Sequence, residues 1–265
     1  MRRVRSLIVA LLFAPAMASL LSGCGEGAAP TIVPAKAPPA VPVEAAYLPP
    51  PSVTATRLEG ANLVLIGAAP ADARVRLATP EGETRFATAN DKGVWTLVLP
   101  GAAQPRIFGL SATAGARQLQ AEGYVLITPA GEAVLLRAGT GAARVGRTGK
   151  NGLDVVDFDR EGGAVVSGRA PAGAALSIHI DGRQLAEGRA DASGRYVVAL
   201  TQQPLAGRMH QIDVFGDATE NTVNIDATPA PPLASGPFRA TSVPAGLRID
   251  WMTPGGGAQS TIILK

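Results

Sequence analysis

The chain reads as an all-β protein made of two copies of one module in tandem, on three observations. GAAPADARVRL (67–77) returns as GRAPAGAALSI (168–178), and at the same offset of 101 residues NDKGVWTLVL (90–99) returns as DASGRYVVAL (191–200). Two matches at one offset mark a repeated supersecondary unit. The 265 residues include 31 glycines and 22 prolines but only 4% aromatics, punctuation that suits short strands and tight turns. Apolar side chains also alternate with period two: Val75 and Leu77 against Arg74 and Arg76, then Leu176, Ile178 and Ile180 against Ser177, His179 and Asp181.

Residues 1–23 are expected to be a cleaved signal peptide rather than fold. Arg2, Arg3 and Arg5 precede an apolar run from Leu7 to Leu21, too short for a good membrane span. Leu21-Ser22-Gly23-Cys24 resembles a bacterial lipobox. That resemblance implies cleavage before Cys24 and acylation of Cys24, and Gly25 in place of an aspartate implies the outer membrane, periplasmic face. The alternative is an ordinary secretory signal ending near a free cysteine. Cys24 is the one cysteine of the chain, so no disulfide framework exists, and lipidation would explain an odd exported thiol. More than one acyl chain would hold the protein on a membrane.

Residues 24–51 then form a tether, expected to be disordered. Eight prolines among alanines offer too little apolar surface to offset ordering entropy, and polyproline II extension would reach roughly 80 Å. The three signal arginines account for the whole formal charge of +3, leaving 21 basic against 21 acidic residues. A neutral remainder argues against a nucleic-acid partner.

The first module is expected over 52–138. Strands are read at 62–67, 73–78 and 84–89, with Asn90-Asp91-Lys92-Gly93 turning the chain into an alternating strand carrying Trp95, Leu97 and Leu99. Further strand-like stretches lie at 106–112 and 117–122, and YVLI (124–127), a TPAGEA turn and VLLR (134–137) close the module. Residues 139–152 read as a flexible, Gly-rich, basic linker. In the second module, over 153–265, Asp181-Gly182 is a strong two-residue hairpin signal. Tyr196, Val198 and Leu200 take the places of the Trp95 strand. IDWMTPGGGA (249–258) matches YVLITPAGEA (124–133) at a new offset of 125, so about 24 extra residues precede the second closing hairpin. This Pro-rich insertion, about 215–245, is the segment expected to be special to the protein, and its ENTVNID start is expected to add an edge strand.

With these residues in place, the modules resemble bacterial immunoglobulin-like (Big-type) domains of proteobacterial envelope proteins. The carriers are SGRAPAGAALSIHIDG (167–182) with ADASGRY (190–196), and IGAAPADARVRLATPEG (66–82) with ANDKGVW (89–95). The resemblance implies two tandem immunoglobulin-like β-sandwiches. The first copy departs from the pattern where Asp72 replaces a glycine and the Asp-Gly hairpin is lost. Related modules sometimes precede a peptidoglycan-binding LysM segment; none is expected here.

Candidate chemistry is sparse. His179 and His210 are short of a zinc site, and no Gly-x-Ser-x-Gly elbow accompanies them, so neither a cofactor nor an enzymatic activity is expected. Asp154, Asp157, Asp159 and Glu161 supply four oxygen-donor carboxylates within eight residues, a weak calcium candidate; Asp157, Asp159 and Glu161 are expected on one solvent face of a strand. Trp251 and Tyr124 are weighed as sugar-stacking platforms against core packing. Arg144 and Arg147, with Lys150, are weighed as an anionic-polymer contact against plain solvation. The expected function is a structural or adaptor protein of the cell envelope, with an unidentified envelope protein as partner; a glycan- or peptidoglycan-binding module is the alternative.

Overall fold

The computed structural model describes residues 47–146, 151–202, 204–205 and 207–265. The signal segment, Cys24, most of the tether, Arg147 and Lys150 lie outside the described residues. The first module comprises β1 (Ser52–Glu59), β2 (Asn62–Ala68), β3 (Arg74–Ala78), β4 (Thr84–Thr88), β5 (Val94–Pro100), β6 (Arg106–Ala114), β7 (Arg117–Ile127), β8 (Ala133–Leu136) and β9 (Ala143–Arg144). The second comprises β10 (Gly152–Asp159), β11 (Ala164–Arg169), β12 (Ala175–Ile180), β13 (Arg183–Arg189), β14 (Arg195–Leu200), β15 (Met209–Gly216), β16 (Thr219–Asp226), β17 (Phe238–Val243), β18 (Gly246–Met252) and β19 (Ala258–Leu264). No helix occurs among the described residues.

Each module is an immunoglobulin-like β-sandwich. Sheet β1-β2-β5 faces sheet β4-β3-β6-β7-β8-β9, and sheet β14-β11-β10-β19-β18-β17 faces sheet β13-β12-β15-β16. The first core gathers Leu63, Leu65, Val75, Leu77, Trp95 and Phe108; the second gathers Val156, Phe158, Val166, Ile178, Tyr196 and Ile212.

The repeated residues perform the same task twice. Gly67 pairs with Trp95 and Gly168 with Tyr196 across adjacent strands. A Cβ on Gly67 would lie 2.2 Å from the Ser52 carbonyl oxygen and from the indole, and one on Gly168 would lie 2.1 Å from the Gly152 oxygen. The missing side chain is what lets the first strand of each module close over the aromatic. Trp95 Nε1 donates to the Ala68 carbonyl at 3.1 Å, and Tyr196 Oη donates to the Gly152 carbonyl at 3.0 Å. Asn90 and Asp191 each accept two backbone N–H bonds, closing matching turns. Asp72 keeps the turn that its substitution for glycine puts in question: its φ of 59° matches the 76° of Gly173, since aspartate tolerates the left-handed region. Asp181 and Gly182 both have positive φ, the pattern of a type I′ hairpin.

The two sandwiches are not separated by a linker. A third apolar layer holds Ile107, Leu126, Val134 and Leu136 of the first module against Val155, Ile249, Trp251 and Ile263 of the second, with Ala142 between them. The result is four stacked sheets and three apolar layers within one compact unit, Tyr47–Lys265. The matching Thr-Pro-x-Gly hairpins, β7–β8 and β18–β19, supply the facing surfaces. They occupy different sheets of their modules. β16 ends its sheet, but it is the counterpart of β7 in the repeat rather than an added strand, so the extra residues begin after it. Residues 227–237 cross from one sheet to the other and place β17–β19 beside β10. Arg248 anchors that crossover by donating to the Asp226 and Thr228 carbonyls, and Arg239 donates to the Pro231 carbonyl. The inserted residues thus serve first to move the closing hairpin across the sandwich.

Candidate functional site

The junction is where the chain concentrates its buried polar groups, and β10 sets it up. Val156 and Phe158 point into the second core, while Val155 and Asp157 point at the first module. Asp157 is 1% exposed. It accepts hydrogen bonds from the Ala142 backbone N–H, Gln259 Nε2 (3.1 Å) and Thr261 Oγ1. Thr261 Oγ1 in turn accepts from Trp251 Nε1 at 3.0 Å, and Gln259 Oε1 accepts from the Gly139 N–H. Burial pushes the Asp157 carboxyl up to about 6, only partly countered by these bonds.

This placement corrects the expectation of a solvent-facing acidic strand. The first module covers the far face of β10, so Asp157 is withdrawn from solvent. Asp154 is also buried, with its carboxylate 3.9 Å from Arg144 Nε, whereas Asp159 and Glu161 are exposed and Asp159 Oδ1 accepts the Gly163 N–H. The four do not converge, and among the described residues no group of three or more His, Cys, Asp or Glu is placed to hold a metal ion.

Residues 141–145 are likewise not a solvated loop. Ala142 is fully buried, Ser167 Oγ donates to its carbonyl at 2.6 Å, and Arg144 is 7% exposed. Arg144 Nη1 sits 2.6 Å from Glu132 Oε1, and its Nη2 donates to the Leu264 carbonyl. Arg144 therefore fastens the modules rather than offering itself to a polymer. Trp251 is 1% exposed and meets Tyr124 edge-on at 6.0 Å between centroids, so it packs in the junction and presents no face to a sugar. His179 stacks edge-on against Phe215, and buried His210 places Nδ1 3.0 Å from Asp181 Oδ2.

Two clefts open beside this junction. One, of about 550 Å³, is mainly apolar and lined by Ile107, Phe108, Tyr124, Met252 and Pro254. The other, of about 360 Å³, is lined by Arg137, Arg144, Arg169, Arg189 and Arg195, with Asp154 and Asp191. The last three arginines were not legible as a group from their spacing, because pairing of β11 with β14 and of β12 with β13 brings them together. The repeat carried a signal: at the matching positions the first copy has Ala68, Thr88 and Val94.

The family described as "Bacterial Ig domain" matches residues 154–230, less than a third of the chain and most of the second module. No curated protein matches the chain. Among solved structures, the BSP domain of a biofilm associated protein is similar at 14% identity over 69% of this chain and 30% of that one, with a TM-score of 0.25. The central fibronectin-III array of RIM-binding protein is similar at 10% identity over 82% of this chain and 88% of that one, with a TM-score of 0.26. Superpositions this loose carry no argument about function.

Proposed function

We propose that the chain is a bacterial envelope lipoprotein, acylated at Cys24 and held at the periplasmic face of the outer membrane, that works without catalysis as a structural or adaptor protein. The observation that carries this reading is the third apolar layer. It joins two immunoglobulin-like sandwiches into one body whose surface is available to a partner. Open strand edges supply the means of recruitment by strand addition. β5 is such an edge, with Val94 and Val98 42% and 55% exposed. The partner in this reading is another envelope protein. Of the features on which a glycan-binding alternative would stand, Trp251 and Arg144 are consumed by packing, Arg147 lies outside the described residues, and the Pro-rich insertion is left.

Two measurements test it. Labelled palmitate should enter the wild-type chain and not the Cys24→Ser variant. A photo-crosslinker at Val98 in intact cells should trap a discrete envelope protein, where one at Leu200, buried on β14, traps none. Absence of label sinks the anchor, and absence of any crosslinked species from β5 or from edge strand β17 sinks the adaptor role.

A further inference from the structure

The arginine-lined cleft has a feature that the fold does not require. Arg169 and Arg195 stand directly opposite each other on β11 and β14. Like charges in that relation oppose strand pairing. The same pair of strands in the first module places Ala68 opposite Val94, which shows that this β-pairing has no need of cations there. Arg189 joins them from β13 where the first copy has Thr88, so three guanidiniums line one cleft in the second copy alone.

Among the described residues none of the three forms a direct ion pair with a carboxylate, although the Arg195 charge helps to hold Asp191 below its ordinary value. Arg169 has no ion-pair partner among the described residues, Arg189 donates to the Gly173 carbonyl, and Arg195 Nη2 lies 3.5 Å from the Arg144 carbonyl oxygen. The carboxylate nearest in sequence, Asp191, has one oxygen occupied by Ser193 and by the Arg195 backbone N–H. Asp154 faces Arg144, and Arg137 faces Glu122 at 3.7 Å.

We propose that this cleft binds a phosphate-class anion held jointly by Arg169, Arg189 and Arg195. A guanidinium fork matches two oxygens of a phosphate, and three forks from three strands suit a multiply charged tetrahedral group better than a singly charged carboxylate. The bound anion would turn the opposed Arg169 and Arg195 from a repulsive pair into a bridged one. Free phosphate and the phosphate of a lipid headgroup share this chemistry at the arginines. The proposal is independent of the adaptor reading and of acylation at Cys24.

The test uses residues 24–265 with Cys24→Ser, and the same chain with Arg169→Ala and Arg195→Val, which installs the pair found in the first copy and relieves repulsion instead of creating a cavity. Melting is followed while inorganic phosphate, or acetate at matched ionic strength, is titrated. Phosphate at tenfold over its Kd should raise the wild-type midpoint by about 3–6 °C, acetate should not, and the double variant should not respond to phosphate. Without phosphate the double variant should melt no lower than wild type. Sedimentation with phosphatidylglycerol vesicles then assigns the source: wild-type binding that the double variant loses points to a headgroup, and phosphate binding without vesicle binding points to a soluble phosphate. A phosphate response no greater than that to acetate, or one that survives in the double variant, overturns the proposal.

Discussion

Asp157 ties folding to pH in the sense opposite to the other shifted carboxylates. Its carboxyl titrates at about 6 in the folded chain against 3.8 unfolded. Between those values the folded state holds a proton that the unfolded state has released, so stability falls as pH rises through the window and the loss is complete above the folded value. A displacement of roughly two units is worth about 3 kcal/mol, of which about 2 kcal/mol falls between about pH 4.5 and 7.5. Asp181, Asp191, Asp226 and Asp250 are all held below their ordinary value. They add stability at neutral pH that is lost only as pH drops below about 4, a separate window. Asp157→Asn removes the titrating group and keeps an acceptor for the Ala142 N–H. Denaturant unfolding of both chains across the range should show the variant gaining about 2 kcal/mol on wild type from about pH 4.5 to 7.5. A difference that stays flat with pH refutes the account of a desolvated carboxyl at the seam.

Other perturbations probe the same structure. Trp251→Ala, which empties the junction and strips Thr261 of a donor, should cost about 3–5 kcal/mol by chemical denaturation; a loss under about 1 kcal/mol would mean the indole is not packed as described. Gly168→Ala drives a Cβ into the Gly152 carbonyl and should cost clearly more than Gly173→Ala, where the added carbon meets open space and only the positive φ is strained, about 1 kcal/mol. Equal melting points for these two variants would contradict the close approach of β10 and β11. Arg144→Ala leaves the Leu264 carbonyl without its donor and should cost about 1–3 kcal/mol, read from the urea midpoint; an unchanged midpoint would return Arg144 to the role of a solvated charge.

The repeat made the sandwich legible because Gly67, Gly93, Trp95 and their echoes encode one local geometry each, a close strand approach, a turn and a core aromatic. The junction was harder to read for a physical reason. A strand covered on one face alternates, but β10 and β19 are covered on both, and there a buried Asp157 reads like a surface acid. The near-continuous apolar runs LDVVDF and TIIL were the available sign of two-sided burial. The shift of offset from 101 to 125 announced extra residues before the second closing hairpin, but not where they begin: β16 pairs with β15 as β7 pairs with β6, so 215–226 still belongs to the repeat. Offset alone also cannot tell a surface loop from a crossover that transfers a hairpin to the opposite sheet. The arginine cleft escaped because its members come from strands whose pairing, not their spacing, unites them.

The place of β19 sets the order in which the molecule can be assembled. It lies between β10 and β18, with Ile262 and Leu264 facing one apolar layer and Ile263 the next. Val155 pairs with Ile263, a contact across more than a hundred residues of chain. A nascent first module can complete its own interior early, but the outward side of β7 and β8, with Leu126, Val134 and Leu136, stays bare until residues 249–264 arrive. Premature termination in that stretch would therefore leave two apolar surfaces open at once, and the exposed first-module face would be the site of aggregation or of holdase capture.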